Sequence, residues 1–333
     1  MKTDLLFCQG RGIIKLWFLK TLHQQQCERD ESMSNTKMRL VKILKGLGFL
    51  ILFCLVGVVA GLLTPLESRG ARAERLWQEG RTAYEAKDYE TAVKLYKEAA
   101  EQGNEKAQFN LARCYAKGEG VKKDRGEAAK WMRQSAEQGF ALAQNNLGAD
   151  YKAGNGVEQD FAEAAKWYRK AAEQGLPVAQ FNLGYCYMDG EGVGQDLAEG
   201  LKWIRQSADQ GFVEAQYVMG CACHEGTGLR EDRTEAVEWF RKAAEQNHLE
   251  AQFLLGDCFR RGDGVRQDWT MAARYYRLAA KQGHAVAQYN LGCCYEKGEG
   301  VEKDLKEAVE WFRKAAEQGV EQAEVAFKRI GAE

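Results

Sequence analysis

Proline is scarce in this sequence, and so is any excess of charge of one sign. Only 2 prolines occur among 333 residues, against 35 glycines. Because proline interrupts helices, this composition favours a largely helical chain that is punctuated by glycine. The 47 basic and 48 acidic residues leave a net charge of −1. No global field therefore draws the chain to nucleic acid.

Sequence signatures of catalysis are missing as well. HExxH, GxSxG and Walker A motifs do not occur. The 10 cysteines form no CxxC pair, and we interpret most of them as small buried hydrophobes. His248 and His284 lie one repeat apart, too far for one metal ion held at about 2 Å. We therefore predict no catalytic residue, no metal site and no cofactor.

Long apolar runs are absent with one exception. Gly46 to Leu63 is free of charge, and Lys42 and Lys45 precede it. This length just spans a hydrocarbon core, and the basic flank places the amino terminus in the cytoplasm. We predict a single transmembrane helix over 46–63, with the later residues extracytoplasmic, which means periplasmic in a bacterium. Alternatively, a peptidase cuts after Ala73 and the remainder is secreted as a soluble adaptor.

The flanks of this run differ in character. Residues 1–45 are basic, and residues 1–32 share no repeat and no period with the rest of the chain. We predict that 1–45 is disordered or in part a misplaced start, with Met33 and Met38 as alternatives to Met1. Residues 64–74 are predicted to be a linker.

Six consecutive stretches then repeat one pattern every 36 residues without insertion or deletion. The pattern reads A-Q-x-x-L-G-x-x-Y-x-x-G-x-G-V-x-x-D-x-x-E-A-x-x-W-x-x-x-A-A-E-Q-G. Its glutamines are Gln108, Gln144, Gln180, Gln216, Gln252 and Gln288. A constant period in this range indicates a solenoid, in which each unit buries its apolar face against its neighbours.

Each unit is predicted to hold two antiparallel helices, here called helix A and helix B. In the third unit, helical spacing of apolar residues places helix A at about 178–188. Helix B begins at Asp196, and Glu199 completes a capping box. Helix B ends at a glycine suited to left-handed backbone, replaced once by Asn247. The recurring tryptophan of helix B is predicted to be core.

This pattern resembles the Sel-1-like repeat family, relatives of tetratricopeptide repeats, over 105–319. The unit at 75–104 resembles an ordinary tetratricopeptide repeat, because its turn is shorter by four residues. Residues 320–333 are expected to form a cap helix. The resemblance implies an all-α, α/α superhelical solenoid of helix-turn-helix repeats. It also implies a protein–protein interaction scaffold and not an enzyme.

Tetratricopeptide relatives line a concave groove with helix A, and the resemblance carries three rows of positions to this chain. The predicted groove residues are Phe109, Arg113, Asn145, Lys152, Phe181, Tyr185, Met188, Tyr217, His224, Phe253, Asp257, Arg260, Tyr289 and Glu296. This mixture of aromatic and polar groups suits an extended peptide or a protein partner. Two alternatives are that these positions are merely solvated, or that the aromatic row packs against the next helix A.

A secreted cysteine-rich subfamily of similar repeats is credited with binding or hydrolysing β-lactams, which gives an enzyme as the second function class. That subfamily pairs cysteines between helix B and the next helix A. This chain has Ala172 and Gln180 at the matching positions, so it departs from the cysteine pattern of that subfamily.

Overall fold

A computed structural model describes residues 68–330. Within this range there are fifteen helices and no strand. The helices are α1 Arg69–Glu85, α2 Tyr89–Glu101, α3 Glu105–Lys117, α4 Arg125–Glu137, α5 Ala141–Ala153, α6 Phe161–Glu173, α7 Pro177–Asp189, α8 Leu197–Asp209, α9 Val213–Glu225, α10 Arg233–Glu245, α11 Leu249–Arg261, α12 Trp269–Lys281, α13 Ala285–Lys297, α14 Leu305–Glu317 and α15 Glu321–Ile330. The main helix contacts join consecutive helices. The predicted all-α solenoid of helical hairpins is confirmed.

Loop lengths separate the first hairpin from the next six. Helix α1 is joined to α2 by residues 86–88, whereas α3 is joined to α4 by residues 118–124. The difference is the four residues that the sequence predicts.

The predicted capping box is only half right. The carboxylate of Asp196 accepts a hydrogen bond from the backbone N–H of Glu199 at 2.9 Å, as expected at an N-cap. The N–H of Asp196 donates to the carbonyl of Tyr187 at 2.8 Å, while the Glu199 carboxylate pairs with Lys202. Because the glutamate is not needed to cap the helix, the fifth unit tolerates Met271 in its place.

The ends of helix B follow the sequence prediction. Asn247, the one substitute for glycine, has a positive φ of 65°. Its N–H donates to the carbonyl of Ala244 at 3.0 Å, and the N–H of His248 donates to that of Ala243 at 3.1 Å. This pair of bonds defines a Schellman ending, so asparagine preserves the geometry that glycine provides elsewhere.

The tryptophan row is core in only half of the units. Trp167, Trp239 and Tyr275 are buried, whereas the other members of the row are partly exposed. The large side chain of helix B that is most enclosed is the next one along the chain, such as Phe240 or Phe312, which are 2% and 0% exposed. In three units the tryptophan face is covered by the lysine three residues later, whose Nζ lies 3.8–4.2 Å from the ring centroid.

Cysteine occupies a buried row, as predicted. Cys114, Cys186, Cys258 and Cys294 recur at one position of helix A, and each is at most 5% exposed. Burial raises the pKa of the Cys114 thiol to about 11 and that of Cys258 to about 12, which keeps both thiols protonated. The seven cysteines within residues 68–330 are all free.

Asp150 interrupts this row, and we expect its replacement by cysteine to stabilise the protein at high pH. Burial raises the pKa of the Asp150 carboxyl to about 6, above the unfolded value of about 4. The native state therefore binds more protons between those values, and stability falls as pH rises through that window. Asp150→Cys should be more resistant to urea than the wild type at pH 8, with the gain fading towards pH 4. Asp150→Asn should behave in the same way, and a gain that is independent of pH would contradict this explanation.

Both ends of the chain carry predictions that lie outside the described residues. These are the basic segment at 1–45, the transmembrane helix at 46–63 and the last three residues of the cap. Helix α1 begins at Arg69, inside the predicted linker at 64–74. Between residues 68 and 330, no helix is long and apolar enough to cross a membrane.

Candidate partner-binding surface

The predicted aromatic row lies on the helix A surface, by which we mean the surface formed by α3, α5, α7, α9, α11 and α13. Phe109, Phe181, Tyr217, Phe253 and Tyr289 are all half-buried there. The ring of each of the first four packs against the ring of the N-cap residue of the next helix A. The ring centroids are 5.3 Å apart for Phe109–Phe140, 5.1 Å for Phe181–Phe212, 4.5 Å for Tyr217–His248 and 4.4 Å for Phe253–His284.

These contacts mean that the row joins units and still presents part of each ring outward. The packing alternative is therefore correct for one side of these rings. Asn145, the non-aromatic member of the row, is 8% exposed, and its Oδ1 accepts a hydrogen bond from Asn182 at 2.9 Å. Asn145 thus links two units and contributes little open surface.

Most of the ionisable residues predicted to line the groove contact a neighbouring side chain of opposite character. Lys152 pairs with Glu191 of the next unit at 2.6 Å. His224 lies 3.0 Å from Asp263 of the next unit, and the remaining pairs are Asp257 with Arg260 and Arg261, and Glu296 with Arg329. These bonds hold the side chains in place along the surface, so they are less free to adapt to a partner.

Around the third unit, two predicted residues meet in a shallow pocket and one does not. Tyr185 packs edge-on against Phe181 with centroids 4.8 Å apart, and both line a pocket of about 280 Å³ together with Lys152. Met188 lies against Gly200 of α8, on the side of helix A that faces helix B. We conclude that Met188 belongs to the packing between the two helices.

The sequence analysis missed the role of the repeated glutamine. All six copies are buried. The Nε2 of each donates to the carbonyl of an alanine eight residues earlier, in the preceding helix B. Its Oε1 accepts from the glutamine thirty residues later, at the end of its own helix B. The strict recurrence of a buried polar residue was the signal for this ladder between units.

We expect Gln252→Leu to destabilise the protein by about 1 kcal/mol, the net value of a typical hydrogen bond. Gln252 is 1% exposed and donates to the carbonyl of Ala244 at 3.2 Å. That carbonyl keeps its bond from the N–H of Asn247, which limits the loss. Urea unfolding measures the change, and Gln282→Ala, which removes only the exposed partner, should cost less. Equal stability of Gln252→Leu and the wild type would show that the ladder is not stabilising.

The same ladder occupies the positions where the cysteine-rich subfamily places its disulfides. Nε2 of Gln180 donates to the carbonyl of Ala172 at 3.3 Å, so a hydrogen bond joins the two segments here. Within residues 68–330, no group of three or more His, Cys, Asp or Glu side chains is arranged to hold a metal ion.

The sequence profile of the Sel1 repeat matches seven consecutive segments. They are residues 78–104, 105–140, 141–176, 177–212, 213–248, 249–284 and 285–320. The chain belongs to the Sel1 repeat family. The first matched segment is the short-turn hairpin, which the profile includes with the six longer Sel1 units. Sel1 repeats form scaffolds for protein–protein interaction.

The solved structures that are similar to this Sel1 protein include two with more than 30% sequence identity. One is c5321, described as a protective antigen present in uropathogenic Escherichia coli strains, with 34% identity and a TM-score of 0.75. The match covers 78% of this chain but only 56% of that protein. The other is a Sel1 repeat protein from Oxalobacter formigenes, with 35% identity, a TM-score of 0.62 and coverage of 72% and 96%. A comparison with curated proteins found no match.

Proposed function

We propose that this Sel1 repeat protein is a membrane-tethered scaffold that binds peptide or protein partners outside the cytoplasm on its helix A surface. The observation that carries the proposal is the row of half-buried rings at a fixed period along that surface. Half-exposed aromatic side chains at regular spacing offer apolar contact area with little loss of side-chain entropy on binding.

Partner capture with matched ring deletions tests the surface. Phe181→Ala and Phe253→Ala remove rings from the helix A surface, while Phe161→Ala removes an exposed ring from α6. Partners recovered from membranes by the tagged full-length chain should be lost or weakened with the first two variants and kept with the third. If both helix A variants retain the partners of the wild type at unchanged affinity, the proposed surface is wrong.

The tether and its topology follow from the uncharged run at 46–63 and the lysines before it. Alkaline phosphatase fused to the carboxyl terminus is active only where disulfides form, so we expect an active fusion in the membrane fraction. Deletion of 46–63 should abolish that activity. An inactive fusion with the full chain would contradict the topology.

Cleavage after Ala73 is the alternative that releases a soluble adaptor. Ala73 is 2% exposed within α1, so this cut would remove the first turn of a packed helix. It would also remove Arg69 and Arg72, which bond to the Glu101 carbonyl and to the Glu98 carboxylate of α2. We therefore favour retention, and amino-terminal sequencing of the native protein distinguishes the two forms.

The enzyme alternative has a direct assay. Nitrocefin turnover by the purified full-length chain above a heat-denatured control would overturn the scaffold proposal. We expect none, because the subfamily credited with that chemistry is built on disulfides that are replaced here by the glutamine ladder.

A further inference from the structure

A pocket of about 500 Å³ lies at the α1 end of the helix A surface. It is larger than the pocket beside Tyr185, and its size lies within the range of ligand sites. The lining includes Trp77 and Tyr84 of α1, Phe109 of α3, Phe140 and Leu142. Leu142 is 42% exposed, so the pocket presents an apolar wall to the solvent. The unit with the short turn thus forms one wall, and α3 with the start of α5 forms the other.

Three cations border this pocket, and they differ in how they are paired. Arg81 pairs with Glu85, and Lys106 pairs with Glu74, each at 3.3 Å. Arg113 has no ion pair within residues 68–330; its guanidinium lies over the Phe109 ring, 5.7 Å from the centroid.

Arg113 is therefore the exception among the charged residues predicted to line the helix A surface. A carboxylate lies beside each of Lys152, His224 and Arg260. An arginine lies beside each of Asp257 and Glu296. An exposed guanidinium fixed over an aromatic ring presents its N–H groups to an incoming anion.

We propose that this pocket holds a bulky apolar side chain of a peptide that carries a carboxylate next to it, with Arg113 pairing with the carboxylate. The proposal rests on the proposed function, because it identifies the chemistry of a partner for one end of the same surface. The apolar side chain would contact Phe109, over which the Arg113 guanidinium lies, together with Phe140 and Leu142 of the same lining. An apolar anchor beside one charge-assisted pair is the usual composition of a binding hot spot.

Selection of peptides tests the proposal. A display library of random linear peptides, with free carboxyl termini in one arm and blocked termini in another, is panned on the full-length chain. Recovered peptides should pair a Leu, Phe, Trp or Met with an adjacent carboxylate. Enrichment in both arms identifies an Asp or Glu side chain as the source of the carboxylate. Enrichment in the free arm alone identifies the carboxyl terminus of the peptide as its source. Recovery of no peptide, or of peptides without a carboxylate, overturns the proposal.

Three variants check that the selected peptides use this pocket. Arg113→Glu should weaken them at least about tenfold, and panning on that variant should recover basic peptides instead. Leu142→Ser should weaken them as well, and because both residues are exposed these changes leave the core intact. Arg241→Glu makes the same charge change on α10 and should have no effect.

The outcomes separate this proposal from the proposed function. Peptides that lose affinity with Phe253→Ala but not with Arg113→Glu would contradict the pocket and leave the helix A surface standing. Peptides that are indifferent to every variant of the helix A surface would contradict both.

Discussion

Gly192→Ala should destabilise the protein by about 2–5 kcal/mol, the sum of left-handed backbone strain and overpacking. Gly192 lies in the loop between α7 and α8 with φ of +74°, and a Cβ there would fall 1.9 Å from the carbonyl oxygen of Phe161. Phe161 is the first residue of α6, so this loop lies directly on helix B of the preceding unit. The obstacle is backbone, which cannot move aside as a side chain can.

A second glycine separates the two contributions. Gly175 has φ of +85°, but a Cβ there would meet nothing within 4 Å. Gly175→Ala should therefore cost only the left-handed strain of about 1–2 kcal/mol. Urea unfolding followed by circular dichroism gives the global effect, and amide exchange locates it, because repeat arrays open locally. Equal losses of stability in the two variants would show that the close contact with α6 does not add to the cost of alanine at Gly192.

The same contact recurs along the solenoid. A Cβ would lie 1.9–2.1 Å from a backbone carbonyl oxygen of the preceding helix B at Gly120, Gly156, Gly264 and Gly300. The fourth long-looped unit differs, since Gly228 faces the side chain of Leu201 at 2.9 Å. Alanine at Gly228 should thus be better tolerated, because a leucine can change its rotamer.

The helices were predictable from the sequence because their ends are set by local chemistry. An aspartate N-cap such as Asp196 and a left-handed residue such as Asn247 act on backbone groups within a few positions. The period of 36 residues then fixes the solenoid. None of this depends on how one unit is placed against the next.

Features that depend on the placement of neighbouring units were not predictable. Recurrence in each unit predicted Trp203 to be core, but Ile204 is the side chain enclosed against Gly184. The pairing of Lys152 with Glu191, the burial of Asn145 and the unpaired state of Arg113 all depend on that placement too. The resemblance therefore predicted the rows of the candidate surface, and the structure shows which members are paired or buried.

Gly220→Ala should destabilise the protein by about 2 kcal/mol, because overpacking outweighs the gain of about 1 kcal/mol in helix propensity. Gly220 lies inside α9, where a Cβ would fall 2.5 Å from Cδ1 and 2.6 Å from Cε1 of Phe240. The ring is 2% exposed and has no free space to enter. Urea unfolding of the variant and the wild type measures the loss.

The chain itself contains the compensating pair. At the corresponding positions of the first long-looped unit, Ala112 replaces the glycine and Met132 replaces the ring, and both are buried in one cluster. An unbranched thioether bends around a methyl group where a flat ring cannot. Adding Phe240→Met to Gly220→Ala should therefore recover at least half of the loss, although Phe240→Met alone is destabilising. This favourable coupling, measured as a double-mutant cycle, tests whether the helix A glycine is retained for the ring. Purely additive losses would mean that the ring finds space elsewhere and that the glycine has another role.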